Sequence, residues 1–368
     1  MTTDSGDLPE AVRDDLSRRF RFHAAHVYHG ASPENSSPLY AHLAFGIAEE
    51  PELLRLLVGL DPHQQFVNLL LGAVHFLLLG GVAHPLRDFY RSLTPMPRPP
   101  QEAYPYFHAF CLEHREQIRQ VVTTYSVQTN EVGRCASLLP AFGLIAAQAH
   151  GQPLALVELG ASAGLNLLWD AYGYDYGPAG RIGDPCSPVQ ITCTPRGDFL
   201  PPLPAGMPTV RHRVGIDLAP VDVSDTTATR WLRALIWPEH RERAQLLEAA
   251  LGVARRSPPP LVAGDLADVL PTVLASVPRE AILCIFHSYT LNHCLKQTRE
   301  RLGEILAAAA SDRDLFRISL EYHASHEHPR LVLFTYQQGK IHDEHLAFCE
   351  SHGRWIEWLQ PPIGAWRK

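Results

Sequence analysis

Glu158, Gly160, Ser162 and Gly164 stand in VELGASAGLNLLWDAY, the run from Val157 to Tyr172. An apolar strand pattern there meets a glycine-rich turn, and an amphipathic helical pattern follows. The two glycines permit a tight turn and close approach of a ligand. A dinucleotide site wants GxGxxG with a helix start aimed at pyrophosphate, whereas the spacing here is GxxxG. A carboxylate two residues before the first glycine repels pyrophosphate. It suits instead a ligand carrying positive charge, such as the sulfonium and ammonium groups of S-adenosylmethionine (SAM). The same five residues also read as GxSxG, the nucleophile-elbow pattern of serine hydrolases. Asp265 and one of His287, His323, His326 or His328 follow in the order that a triad requires. That fold places several strands before its nucleophile, and the residues upstream of this turn supply only helical patterns. The remaining alternative is a turn that only packs helix against strand.

Further acids follow at the ends of successive strand patterns. Asp217 closes VGID and suits the ribose hydroxyls of an adenosine ligand, with Asp222 as a nearby competitor. Asp217 comes later than a compact βαβ unit would put it, and an insertion over about 172–210 accounts for the delay. Asp265, after the third strand, can accept from the adenine amino group, and Leu266 can line the ring. Helix capping is the competing role for each of these aspartates. At the fourth strand end, His287 in FHSYTLN suits a general base that deprotonates an acceptor hydroxyl or amine. Glu321 and Tyr322 are weaker candidates of the same kind. Asn130, Glu131 and Arg134 fit one polar side of a helix start, with Glu131 and Arg134 orienting the acceptor. Tyr289 joins Asn130 and Arg134 as a substrate contact. Two histidine clusters, EYHASHEH and HDEH, lack metal-finger spacing and read as surface loops, so no metal is expected.

The elements that must position these residues change character at Leu154. Before it the chain reads as helices: Asp14 to Tyr28, Leu39 to Ile47, Pro51 to Leu60, Gln64 to Gly80 and Glu131 to His150. Leu93 to Pro105 is a proline-rich loop. Leu69 to Ala83 is apolar but shorter than the ~20 residues a membrane span needs, so a buried helix is expected. After Leu154, seven short apolar runs alternate with helical stretches such as Thr226 to Val253 and Leu295 to Ala310. Such alternation indicates a doubly wound parallel sheet. The last two runs, Leu331 to Tyr336 and Trp355 to Leu359, look like an antiparallel pair. Residues 1–150 therefore form a helical region and 151–368 an α/β domain.

Composition narrows the classes further. The 368 residues carry 32 Lys and Arg against 39 Asp and Glu, a net charge of -7, which argues against nucleic-acid binding. Hydrophobic residues at 46% and charged ones at 19% are globular composition. Seven scattered Cys read as reduced thiols of a cytoplasmic protein, and the acidic N-terminus is no signal peptide.

VELGASAGLNLLWDAYGYDYG, TNEVGR, GIDLAPVDV, FHSYTLN and HGRWIEW together resemble an uncharacterised bacterial family, domain of unknown function 2332, over nearly the whole chain. More distantly, Glu158, Gly160, Gly164, Asp217 and Asp265 resemble the cofactor motifs of class I SAM-dependent methyltransferases. That likeness implies a Rossmann-like, seven-stranded methyltransferase-type sheet and SAM as methyl donor to a small molecule. The middle glycine of the methyltransferase turn is Ser162 here. The expected function is SAM-dependent methyl transfer, with no membrane and no nucleic-acid partner. The alternatives are a Ser162 hydrolase and a non-catalytic protein on a decayed methyltransferase fold.

Overall fold

The computed structural model describes residues 8–30, 35–128, 130–149, 151–337 and 339–360. The acidic start at 1–7, Thr129 of TNEVGR and His150 lie outside the described residues. By contact the chain divides into two units, 1–129 with 226–245, and 130–225 with 246–368.

The first unit is helical. Its core gathers Leu16, Phe20, Leu43, Ile47, Leu70, Val74, Phe107 and Trp231, among others. Helix Phe66–Leu79 is apolar on nearly every side and almost wholly buried. Its 14 residues span only about 21 Å, short of a ~30 Å hydrocarbon layer. Among the described residues no helix is long and apolar enough to cross a membrane. The proline-rich loop holds a short 3-10 turn, Pro100–Glu102, and helix Tyr104–Glu113 begins inside its expected end. Thr226 to Val253 is two helices, Thr226–Ala234 and Arg241–Arg256, and the unit boundary falls within the second.

The second unit is mixed α/β. Its strands are β1 Leu154–Leu159, β2 Gly173–Asp175, β3 Arg181–Gly183, β4 Gln190–Thr192, β5 Thr194–Arg196 and β6 Val210–Asp217. They continue with β7 Leu261–Ala263, β8 Ile282–Ser288, β9 Leu315–Glu321, β10 Arg330–Gln337, β11 Lys340–Cys349 and β12 Trp355–Trp358. Nine of them make one mostly parallel sheet in the order β5-β12-β11-β10-β9-β8-β1-β6-β7. The other three, β3-β2-β4, form a small sheet within the expected insertion. Strand β1, LALVEL, is buried at all six positions, as a central parallel strand covered on both faces must be. The chain winds from β1 through β6 to β7, then returns to the opposite side of β1 for β8 and β9. That reversal puts a topological switch point between β1 and β8, where α/β sheets bind ligands beyond the carboxyl ends.

Four expectations are corrected. The large sheet has nine strands instead of seven, because β5 and β11 join it. The HDEH cluster is strand, not loop: His342 and His345 lie on β11, whose Lys340–Asp343 half is exposed and so lacks an apolar signature. That strand also separates the last two runs, so β12 pairs with β11 and not with β10. Finally, the amphipathic helix expected after the glycine turn is a kinked 3-10 stretch, Leu165–Ala171. Leu165 through Trp169 are all buried, so the segment has no solvent face to sustain an amphipathic helix.

The boundary expected at 150 falls instead at 129/130, because helix Arg134–Gln148 belongs with the sheet. Its Phe142 stacks on Trp169 at 4.5 Å and meets Phe286 of β8 edge-on at 5.3 Å.

Candidate active site

Backbone strain marks the carboxyl edge of β1 and β8. Among the described residues, Ser162 (φ +51°) and Tyr289 (φ +56°) are the only non-glycines with positive φ. Each sits in the loop that follows one of the two strands flanking the switch point. Such conformations cost ~1–3 kcal/mol and persist where the surroundings impose them.

The surroundings of Ser162 are explicit. Asn130 grips the turn twice: its Nδ2 donates to Ser162 Oγ, and Ala163 N donates to its Oδ1 at 3.1 Å. Asp217 accepts from Ser162 N at 2.8 Å and from Ala219 N at 2.9 Å. Gly160 and Gly164 complete the left-handed path at φ +74° and +68°. Side chains of Thr290 lie where a Gly160 Cβ would fall, and Thr290 Oγ1 donates to Leu159 O at 2.9 Å. Asp217 and Asn130 thus hold the turn, and Thr290 closes over its start.

The two central strands present different chemistry on opposite faces. Glu158 is opposite Gly215 and Phe286, which puts it on the face that Asp217 shares. It is 2% exposed, and its Oε2 has no hydrogen-bond partner. Burial pushes its carboxyl well above the usual range, and Asp217 adds to the rise. A hydrogen bond from Asn166 and the charge of Arg134 work the other way. Burial thus favours the neutral form of Glu158, against the standing anion that the sequence suggests. On the other face, His287 is fully buried. Its Nδ1 bonds Glu321 Oε1 at 2.8 Å, and its Nε2 has no partner. Burial favours a neutral Glu321, but the His287 bond and charge and the amides of Leu291 and Thr290 outweigh it, and its pKa is lowered. Glu321 also accepts from Asn292 N, so one carboxylate fixes both His287 and the strained loop.

Other expected residues are placed differently. Asp265 caps helix Leu266–Ser276 through Ala267 N at 2.8 Å, and Leu266 is buried in the core beside Leu270 and Ile285. Asp222 accepts from both Ser224 N and Ser224 Oγ. Asp265 thus takes the capping role of an aspartate at a strand-to-helix turn, whereas Asp222 closes a turn ahead of helix Thr226–Ala234.

The helix begins at Arg134 with Gly133 as its cap, so Asn130 and Glu131 lie in the segment before it. That segment meets a turn that the sequence did not single out for chemistry. Glu131 and Arg134 are each 4% exposed. Glu131 Oε2 lies 2.9 Å from His352 Nδ1, and Arg134 Nε donates to Ser351 O at 2.9 Å. The Arg134 guanidinium covers the Tyr289 ring at 3.9 Å, and Tyr322 OH bonds Ser351 Oγ at 2.8 Å. Glu350 anchors the turn by accepting from His352 N, Arg354 N and the Arg354 guanidinium. One signal was legible, the dipeptide His352-Gly353 in HGRWIEW, but nothing in the sequence pairs it with residue 131.

Fold and site define a mixed α/β protein with strained loops and buried acids gathered at a switch point. The chain belongs to the family described as "Uncharacterized protein conserved in bacteria (DUF2332)", whose model matches residues 23–358. No curated protein matches it, and no solved structure does.

Proposed function

We propose that the carboxyl edge of β1, β6 and β8 binds SAM, and that the protein transfers its methyl group to a small molecule. The order β7-β6-β1-β8-β9, with β10 antiparallel beside β9, supports a methyltransferase-type arrangement in its parallel half. The observation that carries the reading is Glu158, a buried carboxyl with an unpartnered oxygen on the same sheet face as Asp217. A buried polar atom without a partner costs ~1–3 kcal/mol, and a cationic ligand removes that cost. Asp217, fixed by the amides of Ser162 and Ala219, stands at the end of the strand next to β1, where a carboxylate can meet ribose hydroxyls.

SAM supplies an electrophilic methyl group on a sulfonium. The protein's part is alignment, and positioning contributes ~7–11 kcal/mol where reacting atoms are well oriented. Asn130 and Asp217 hold the turn, and the Thr290 loop covers it, which limits water. Titration calorimetry with SAM and S-adenosylhomocysteine tests the reading. We expect binding of both, weakened at least tenfold by Glu158→Gln for SAM. Absence of heat with either ligand, and of any adenosine compound co-purifying by mass spectrometry, would remove it.

A hydrolase reading draws on the strained φ of Ser162, but neither His287 nitrogen bonds that hydroxyl. Labelling of Ser162 by a fluorophosphonate would restore it.

A further inference from the structure

Two histidines at the sheet's carboxyl edge have Nδ1 on a glutamate, and they differ in access. His287 with Glu321 is sealed, its side chain 0% exposed. His352 with Glu131 is not: the imidazole is 20% exposed, over a carboxylate that is 5% exposed. A base must reach solvent-borne acceptors, so access separates the pair that can exchange protons from the pair that cannot.

The contact between Glu131 and His352 is built by backbone. Gly133 and Gly353 face each other so closely that a Cβ on Gly133 would overlap His352 O, and one on Gly353 would overlap Gly133 O. Gly353 also has φ +79°, which favours glycine. Glu350 closes the turn from below through His352 N and Arg354. Through Asn130, the same segment grips the Ser162 turn, and through Arg134 it covers Tyr289. His352 is thereby delivered to the edge where β1, β8 and β9 end.

We propose that His352 is the acid–base group of this site and that Glu131 is its positioning residue. Glu131 accepts from Nδ1–H, which fixes the tautomer and makes Nε2 the basic nitrogen. In methyl transfer, the proposed function on which this step rests, Nε2 takes the proton from an acceptor O–H or N–H. The electron pair of that bond forms the new bond to the methyl carbon. The carbon–sulfur pair leaves with sulfur as a neutral thioether, and the imidazolium returns its proton to water.

Carbethoxylation by diethyl pyrocarbonate, mapped by peptide mass spectrometry as a function of pH, tests the proposal on the full chain. The charged groups facing His352 include Glu131 and Glu350, with Glu350 neutralised by Arg354. The expected result is modification of His352 in the folded protein while His287 stays unmodified. A carboxylate beside an imidazole favours the charged form, so Glu131→Gln should move the reactivity midpoint of His352 down by about one pH unit. Glu131→Asp, which keeps the charge, should leave it near wild type, and circular dichroism checks that both variants fold. An unmodified His352, or a midpoint indifferent to Glu131→Gln, overturns the proposal. Calorimetry with SAM tests SAM binding separately, so the two readings fail independently.

Discussion

His75, in the helical unit, has both ring nitrogens bonded: Nδ1 to Ala234 O at 3.0 Å and Nε2 to Ser92 Oγ at 2.8 Å. His287, in the sheet unit, is as deeply buried but has a partner on one nitrogen only. The same contrast holds for acids. Glu239 of the helical unit accepts from Ser37 Oγ and Leu39 N, one bond on each oxygen. Glu158 of the sheet unit has an oxygen that bonds nothing. Both strained non-glycines also lie in the sheet unit, beside the switch point. In these two pairs the helical-unit group has its bonds and the sheet-unit group keeps an open atom, although Tyr40 OH and Tyr90 OH of the helical unit also have no partner. An open atom beside the switch point is one that a ligand can complete.

The largest expected effect breaks the satisfied side of this contrast. His75→Ala leaves a cavity in helix Phe66–Leu79 and orphans Ser92 and the Ala234 carbonyl, so we expect a loss of about 3–5 kcal/mol. Hydrogen exchange of the Phe66–Leu79 amides measures it, and protection equal to wild type would dissolve the contrast.

Next comes pH. Burial lowers the His75 pKa from 6.5 to about 4, with the charge of Arg233 assisting and the Ala234 bond opposing. Between those values the unfolded chain binds a proton that the folded chain does not. Stability of the helical unit should therefore be full above pH 6.5, fall as pH drops towards 4, and level off below. The total is about 3 kcal/mol. The same exchange experiment at several pH values reads it, and a flat profile contradicts it.

The smallest effect sharpens the unsatisfied side. An unfolded Glu158 ionises near 4.5, whereas burial raises the folded carboxyl above that value. The wild type accordingly loses stability as pH rises above 4.5. Glu158→Gln has no such loss and should gain about 1 kcal/mol at pH 7, read from exchange of the β1 amides. A variant less stable than wild type would mean that Glu158 is already paired.

Much of the architecture was legible because burial imposes a period. LALVEL, AILCIF and LFRISLEY read as strands since each is apolar on the faces it buries, and the chain before them read as helices for the same reason. Strand β11 escaped because half of it is exposed, and β5 because three residues carry no period. The glycine turn, Asn130, Glu131, Arg134 and His287 were picked out by residue type, and all lie in one unit near the sheet's carboxyl edge. Their partners were not legible. Asp265 as a cap and Asp217 as an anchor of the turn depend on which amides come within 3 Å.

The order of side chains along this polypeptide determined where its strands and helices form and which polar groups enter the interior. Those outcomes follow from neighbours a few residues away. Whether a buried group ends with a partner was decided only by tertiary structure. His352 stands 221 positions from Glu131, and Glu321 stands 34 from His287. Hydrogen bonds act over about 3 Å, and only the packed sheet, with two facing glycines, brings such distant residues that close.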